Sequence, residues 1–438
     1  MRFPRMRASL TLTALLAAGC TTGILDSNTQ DVIDPEAVNN VAGLSALRLG
    51  AIADFAYANA GDQSVQEGQI LVSGLVADEF RNSDTFPTRR EMDNLQMRVL
   101  NTSLDGVYRS LHRARVATQE AATRYRQIGP AGAVTNNAIA ELESLSGFAL
   151  VYFGENYCGA VPVGRFTADS IVQGATQSST QLFTSAIAKF DSALVVRPNY
   201  GLAAVGKARA LLNLGQFTAA AAAVSGVPTS FVYAESHGIL PARIVNGVFA
   251  FFVEGNRWSV ANREGGTGLP FIDDADPRVP IEDTEDEGFD NVTPQFNQLK
   301  YPLRESPITV ADGIEARLIE AEAALNSGAP AAWIGILNTL RASDPSLGLA
   351  PLVDPVTPMA RVNLQFRERA YWLFATGHRL GDLRRLMRAP YSRARTTVFP
   401  QGAYPKGGIY GTQVNIPVSF SEQNNPGYDP AACDTNVP

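Results

Sequence analysis

Between residues 183 and 228, small and apolar residues return at helical intervals, and the pattern comes back after one further unit. Ala186, Phe190 and Ala193 are separated by steps of four and three. Ala208, Leu211 and Ala220 continue in the same register, and Ala220 follows Ala186 by 34 residues. Such steps place residues on one face of an α-helix. Small residues on that face let neighbouring helices approach closely. A unit of this length is one helix pair, and a pair alone cannot bury its apolar face, so further pairs must stack on it. This feature predicts a mainly α chain of stacked helix pairs.

Other stretches supply the further pairs. Val41, Leu44, Leu47, Ile52 and Phe55 mark one helical face, and Leu100, Leu104, Val107, Leu111 and Val116 a second. Ile139, Leu142, Leu145 and Ala149 mark a third, and Ile314, Leu318, Ala321 and Leu325 a fourth. The expected scaffold is 41–58, 95–128, 137–153, 180–225, 311–341 and 361–388, with few strands. In the last stretch Phe366, Ala370, Leu373, Gly377, Leu380, Leu383 and Met387 share a face. Arg367, Arg369, Arg379, Arg384, Arg385 and Arg388 crowd the other. Asp382 stands three residues from both Arg379 and Arg385 and can pair within the helix. Gly377 and Gly381 would each cost about 1 kcal/mol against Ala inside a helix, so close packing or a break between two helices must require them. The stretch reads as a structural helix with a solvated basic face.

Residues 1–19 read as an export signal. Arg2, Arg5 and Arg7 precede an apolar run from Leu10 to Ala18, too short for a stable membrane span. Gly19-Cys20 closes the run like a lipoprotein cleavage site, which would make Cys20 the first mature residue and the lipid acceptor. The alternative is an ordinary signal cut nearby that leaves a free thiol. Removing residues 1–19 leaves 33 basic against 43 acidic residues, a net charge of −10. That balance argues against nucleic acid as a partner. Residues 20–36 form a polar tether, and 20–438 a single domain with no linker between halves. With Cys20 lipidated, Cys158 and Cys433 remain. An exported chain meets an oxidising compartment, so these two are expected to form a disulfide, with two buried free thiols as the alternative.

Three segments lack helical periodicity: 74–94, 229–310 and the tail from 389. Long loops on a compact scaffold commonly carry function. They hold Phe80, Phe86, Trp258, Phe271, Tyr301, Tyr404 and Tyr410 among polar neighbours such as Arg81, Asn82, Asp84, Asn256 and Arg257. Aromatic rings pack on the C–H faces of sugars, while charged and amide groups take the hydroxyls. The candidate ligand-binding residues are Phe80, Arg81, Asp84, Phe86, Trp258, Tyr404 and Tyr410. Each ring has the competing role of anchoring its loop to the core. No catalytic residue is assigned. His112, His237 and His378 share no metal spacing, and no nucleophile elbow or phosphate loop occurs. Asp283, Glu285, Glu287 and Gly288 match the start of a calcium loop, but Pro294 stands where the bidentate Glu belongs. The run reads as a solvated loop, with no metal and no cofactor assigned. Adjacent acids such as Asp78 and Glu79 are too common in this chain to indicate a glycosidase.

Two resemblances sharpen these readings. The 183–228 pattern resembles tetratricopeptide units, with Pro198 closing the first. The stretch RERAYWLFATGHRLGDLRR at 367–385 resembles the C-terminal signature of the SusD/RagB family. Segments 274–280, 311–325 and the VNIPV and NNPGY of the tail are similar to other family segments. Members are bacterial outer-membrane lipoproteins that bind nutrients above a TonB-dependent transporter. The resemblance implies a tetratricopeptide-like helical scaffold with long irregular loops, a SusC-like transporter as partner, and a glycan or peptide ligand. It also implies surface exposure on the outer membrane through a lipid anchor.

Function rests on the site and not on the fold. The leading expectation is a non-enzymatic lipoprotein that captures an oligomeric nutrient and delivers it to the transporter. A secreted hydrolase of the same nutrient and a helical-repeat adaptor without ligand are the alternatives.

Overall fold

Some of the helices begin at a residue whose side chain caps the first turn. The computed structural model describes residues 40–63, 65–166 and 171–438. The export signal 1–19, the lipid acceptor Cys20 and the tether 20–36 lie outside the described residues. In chain order the helices of 7 residues or more are α1 (Leu44–Ala60), α2 (Gln69–Val76), α3 (Pro87–Asp93), α4 (Thr102–Ile128), α5 (Ala133–Asn156) and α6 (Ser179–Val196). There follow α7 (Gly201–Asn213), α8 (Phe217–Val224), α9 (Gly313–Asn326), α10 (Pro330–Ala342), α11 (Pro358–Trp372) and α12 (Arg379–Met387). Asn101 caps α4 by accepting from Leu104 N at 3.1 Å. Ser178 and Gln181 form a reciprocal capping box at α6. Thr357 caps α11, with Pro358 at its first position.

α4 packs on α1, and from α5 to α8 each helix packs on the one before it in sequence. α9 packs on α8, α10 and α11. The recurrent residues Ala186, Phe190, Ala193, Ala208, Leu211 and Ala220 are all buried. Phe190 shows why small residues recur among them. Its ring lies on Gly147 of α5 and Gly206 of α7, where an added Cβ would come within 2.8 Å and 2.3 Å of it. By length and composition Val41–Ala60 is apolar enough to cross a membrane. Leu44 and Ala51 of this stretch instead join Ala121, Ile139 and Leu142 in a buried cluster, as a core helix does.

Short strands complete the described chain: β1 (Phe80–Asn82), β2 (Val161–Pro162), β3 (Arg165–Phe166), β4 (Ile171–Val172) and β5 (Thr176–Gln177). After them come β6 (Val232–Glu235), β7 (Trp258–Val260), β8 (Ile281–Glu287), β9 (Pro294–Gln298) and β10 (Ile308–Asp312). They pair antiparallel as β1–β7, β2–β5, β3–β4, β6–β10 and β8–β9. The acidic run forms one side of a hairpin, in which Asp283 pairs with Phe296 and Glu287 with Pro294. Segment 74–94 is not a plain loop either, since it contains β1 and α3. Cys158 and Cys433 form the expected disulfide, with Cα atoms 5.1 Å apart.

The basic face of 361–388 departs from expectation. It is not solvated: Arg369, Arg379, Arg384 and Arg385 are buried. Residues distant in sequence supply their partners. Arg379 takes both carboxylate oxygens of Asp78, at 2.5 and 2.8 Å. Arg385 pairs with Glu322 of α9 and with Asp382. Arg369 takes Asp382 at 2.8 Å. The two glycines have different reasons. Gly377 has φ +74° and breaks the stretch into α11 and α12. Gly381 packs against Glu155, whose Cδ would lie 3.0 Å from an added Cβ.

Candidate functional site

Segments 82–90, 255–293 and 403–409 meet at one surface. Short-range backbone contacts fix the meeting. Ser83 N donates to Arg257 O at 3.1 Å, Phe289 N to Asn256 O at 2.8 Å, and Asp290 N to Ser83 O at 3.0 Å. Gly288 allows this approach, since a Cβ there would lie 2.4 Å from Ser83 Cβ. The third segment is tied in by Arg90, which donates to Lys406 O at 2.6 Å, and by Lys406 Nζ, 2.5 Å from Asp290 Oδ2.

Two aromatic rings stay open to solvent here, Phe86 at 47 % and Phe289 at 45 % exposure. The guanidinium carbon of Arg257 stands 3.9 Å from the Phe289 ring centre and 5.4 Å from that of Phe86. Cation–π attraction of this kind contributes about 0.5–1 kcal/mol at exposed sites, and here it fixes the spacing of the rings. Asp84 anchors the cation from below. Its Oδ2 accepts from Arg257 Nη1 at 2.9 Å and also from Arg89. Burial works against its charge, but the hydrogen bonds from Arg257 and Arg89 outweigh burial and hold the carboxyl below the ordinary aspartate range. Arg89 in turn lies 4.7 Å from the Phe86 ring and 5.1 Å from the Trp258 ring. The surface thus offers two apolar faces, a partly exposed cation between them, and the Lys406–Asp290 pair at the rim.

Of the residues expected to touch ligand, the structure opens only the Phe86 ring to this surface. Phe80 and Trp258 were expected in loops with exposed faces, but they belong to β1 and β7 and are fully buried. Phe80 meets Phe252 and Phe374 edge to face, and Trp258 meets Phe251 in the same way. Tyr404 and Tyr410 are interior too. Their hydroxyls donate to Asp93 and Glu264. Arg81 holds Glu264 at 2.7 Å, and Asp84 is a buried anchor. Burial of the rings follows from the cross-strand pair Asn82–Trp258, which turns both strands into the core. Phe289 was missed because its run was read only for calcium ligands. An aromatic between Gly288 and Asp290 in an otherwise acidic run was the available signal. Among the described residues, no cluster of three His, Cys, Asp or Glu side chains is placed to hold a metal ion.

Two buried acids under the surface carry a testable pH effect. Burial, then the charge of Glu264, pushes Asp93 up to about 7. Burial pushes Glu79 up to about 8. Both carboxyls titrate near 4 when unfolded. Between about pH 4 and 7–8 the native state therefore keeps protons that the unfolded chain has released, and stability falls as pH rises through that window. The denaturant midpoint is expected to fall between pH 5 and 8. Asp93→Asn and Glu79→Gln should each flatten part of that slope.

No family model matches the sequence, and no curated protein matches it. Solved structures do match the fold. A SusD superfamily protein from Parabacteroides distasonis aligns with a TM-score of 0.67 at 12 % identity, covering 88 % of this chain and 98 % of that one. A SusD superfamily protein from Bacteroides fragilis aligns at 0.63 and 12 %, covering 91 % and 99 %. A SusD-like carbohydrate-binding protein from Bacteroides vulgatus aligns at 0.62 and 13 %, covering 91 % and 97 %.

Proposed function

From the SusD-like fold of this chain, we propose that the protein captures an oligomeric glycan at the Phe86–Arg257–Phe289 surface without cleaving it. The observation that carries this reading is the pair of exposed rings held apart by one anchored guanidinium. Ring faces suit sugar C–H surfaces, and Arg257, Lys406 and Asp290 suit hydroxyls. The name of the Bacteroides vulgatus neighbour, a carbohydrate-binding protein, supports glycan over peptide. The candidate site carries the anchored pairs Asp84–Arg257 and Asp290–Lys406, which suit binding more than acid–base chemistry.

The remaining parts of the proposal come from the sequence. Cys20 is acylated and tethers the domain to the outer membrane through residues 20–36. The domain then passes its ligand to a SusC-like TonB-dependent transporter. Longer oligomers should bind more tightly than monomers, because several sugar units share the surface.

Binding of oligosaccharides and peptides to the purified chain tests the reading, with intact mass and membrane co-purification for the anchor and partner. Phe86→Ala and Phe289→Ala should each weaken oligosaccharide binding by about tenfold or more, as truncation of an aromatic hot spot does. Their circular dichroism should be unchanged. Peptide binding in place of glycan, turnover of the bound oligomer, or an unacylated N-terminus with no transporter in the membrane fraction would each overturn the corresponding part.

A further inference from the structure

One apolar cavity in the fold borders a cation that no acid pairs. It measures about 670 Å³ and lies between α11 and α12, bordered by residues 352–355 and 393–398. That size lies within the roughly 300–1,000 Å³ of small-molecule sites. Helical spacing builds two of its walls. Ala360, Asn363, Leu364 and Arg367 share one face of α11, and Arg379, Leu383 and Leu386 one face of α12. A third wall is held in place by hydrogen bonds. Leu352 N donates to Asn338 Oδ1 at 2.7 Å, and Arg361 donates to both carboxylate oxygens of Asp354 at 2.7 Å.

Three arginines line this cavity, and among the described residues no Asp or Glu does. Two of the three are already matched, Arg379 by Asp78 and Arg367 by Asp274. Arg393 has no acidic partner among the described residues. Its Nη2 donates to Met359 O at 3.3 Å, while Nε and Nη1 make no hydrogen bond there and are not enclosed. Burial lowers this guanidinium, and no neighbouring charge offsets the effect. A second apolar hollow, lined by Met359, Val362 and Tyr391, borders Arg393 as well. In a chain of 43 acidic against 36 basic residues, such a cation is the exception. Asn363 lies one helical turn on from Met359. It is exposed, and its side-chain amide makes no hydrogen bond among the described residues.

We propose that this cavity binds an alkyl carboxylate of medium chain length, with its carboxylate at Arg393 and Asn363 and its chain along Leu269, Leu352, Val353 and Leu364. A carboxylate supplies the counter-charge that Arg393 lacks, and hydrogen bonds between ionised groups are the strong ones. One negative charge suffices, because Asp78 and Asp274 already balance the other two guanidiniums. The chain is apolar because the remaining wall is. Leu269, Leu352 and Leu364 are only partly buried, and Val353 is 86 % exposed. An alkyl chain that covered them would remove that surface from water.

This site is separate from the loop surface, and oligosaccharide binding is read separately, so the two readings fail independently. Calorimetry on the full mature chain with octanoate, decanoate and dodecanoate, each kept below micelle formation, is the test. Decanoate should bind saturably at millimolar concentration or below. Affinity should rise with length, by up to about fourfold for each added CH2. Arg393→Gln should weaken decanoate by about tenfold or more. Its thermal midpoint should be unchanged, because the side chain holds only one backbone carbonyl. Arg393→Lys, which keeps the charge, should lose less. Failure of all three carboxylates to bind would overturn the proposal. So would unchanged affinity in Arg393→Gln, octanol or octylammonium binding as tightly as octanoate, or acetate binding as tightly as decanoate.

Discussion

Replacing Asp382 by Ala is expected to destabilise the protein by about 3–5 kcal/mol, the range for removing one partner of a buried ion cluster. Asp382 lies between two buried arginines. It accepts from Arg369 Nε at 2.8 Å and from Arg385 Nη2 at 2.6 Å. Without it both cations turn to Glu322, which already binds Arg385 and lies 3.8 Å from Arg369. One charge would then stay buried without a counter-ion. Burial raises the Asp382 carboxyl, but the charges of Arg369 and Arg385 outweigh burial and hold it far below the usual aspartate range. The sign follows from a lowered native value: the contribution is present above about pH 4, where the unfolded group ionises, and is lost as pH falls. Asp382→Asn, which keeps the shape, should flatten the acid limb of stability against pH. Denaturant midpoints from pH 2 to 7 check both statements. A loss below about 1 kcal/mol for the Ala variant, the range of a solvated pair, would show that water reaches the cluster.

Trp258→Ala should cost a similar amount, about 3–5 kcal/mol, from lost burial and the cavity left behind. Trp258 is fully buried, with Phe251 edge to face at 4.9 Å and the Arg89 guanidinium on its ring. Phe80→Ala belongs to the same class, because its ring packs on Gly74 as well as on Phe252 and Phe374. Both variants should lower the thermal midpoint and weaken the proposed glycan binding only through loss of fold. Phe86→Ala should do the reverse, leaving the midpoint unchanged and weakening binding. Comparing midpoint and affinity across the three variants separates support from contact. A Trp258→Ala protein with unchanged midpoint would put that ring at the surface after all.

Residue spacing along the chain already dictated the helical scaffold. Ala186, Ala208 and Ala220 are buried in the successive packed helices α6, α7 and α8 because helical periodicity is local, and a repeated small-residue face has few ways to be buried. It also determined which three segments carry the candidate surface, since loss of periodicity marked 74–94, 229–310 and the tail. Which way each ring points was decided by tertiary structure alone. Phe80 and Trp258 lie on strands of three residues each, paired across a long separation in sequence, and so short an element has no periodicity to read. The arginines of 367–388 were read as solvated because their acids, Asp78 and Glu322, lie far away in the chain. A charge looks exposed in sequence until the fold brings its counter-ion to it, and pairing in space, not spacing along the chain, is what permits its burial.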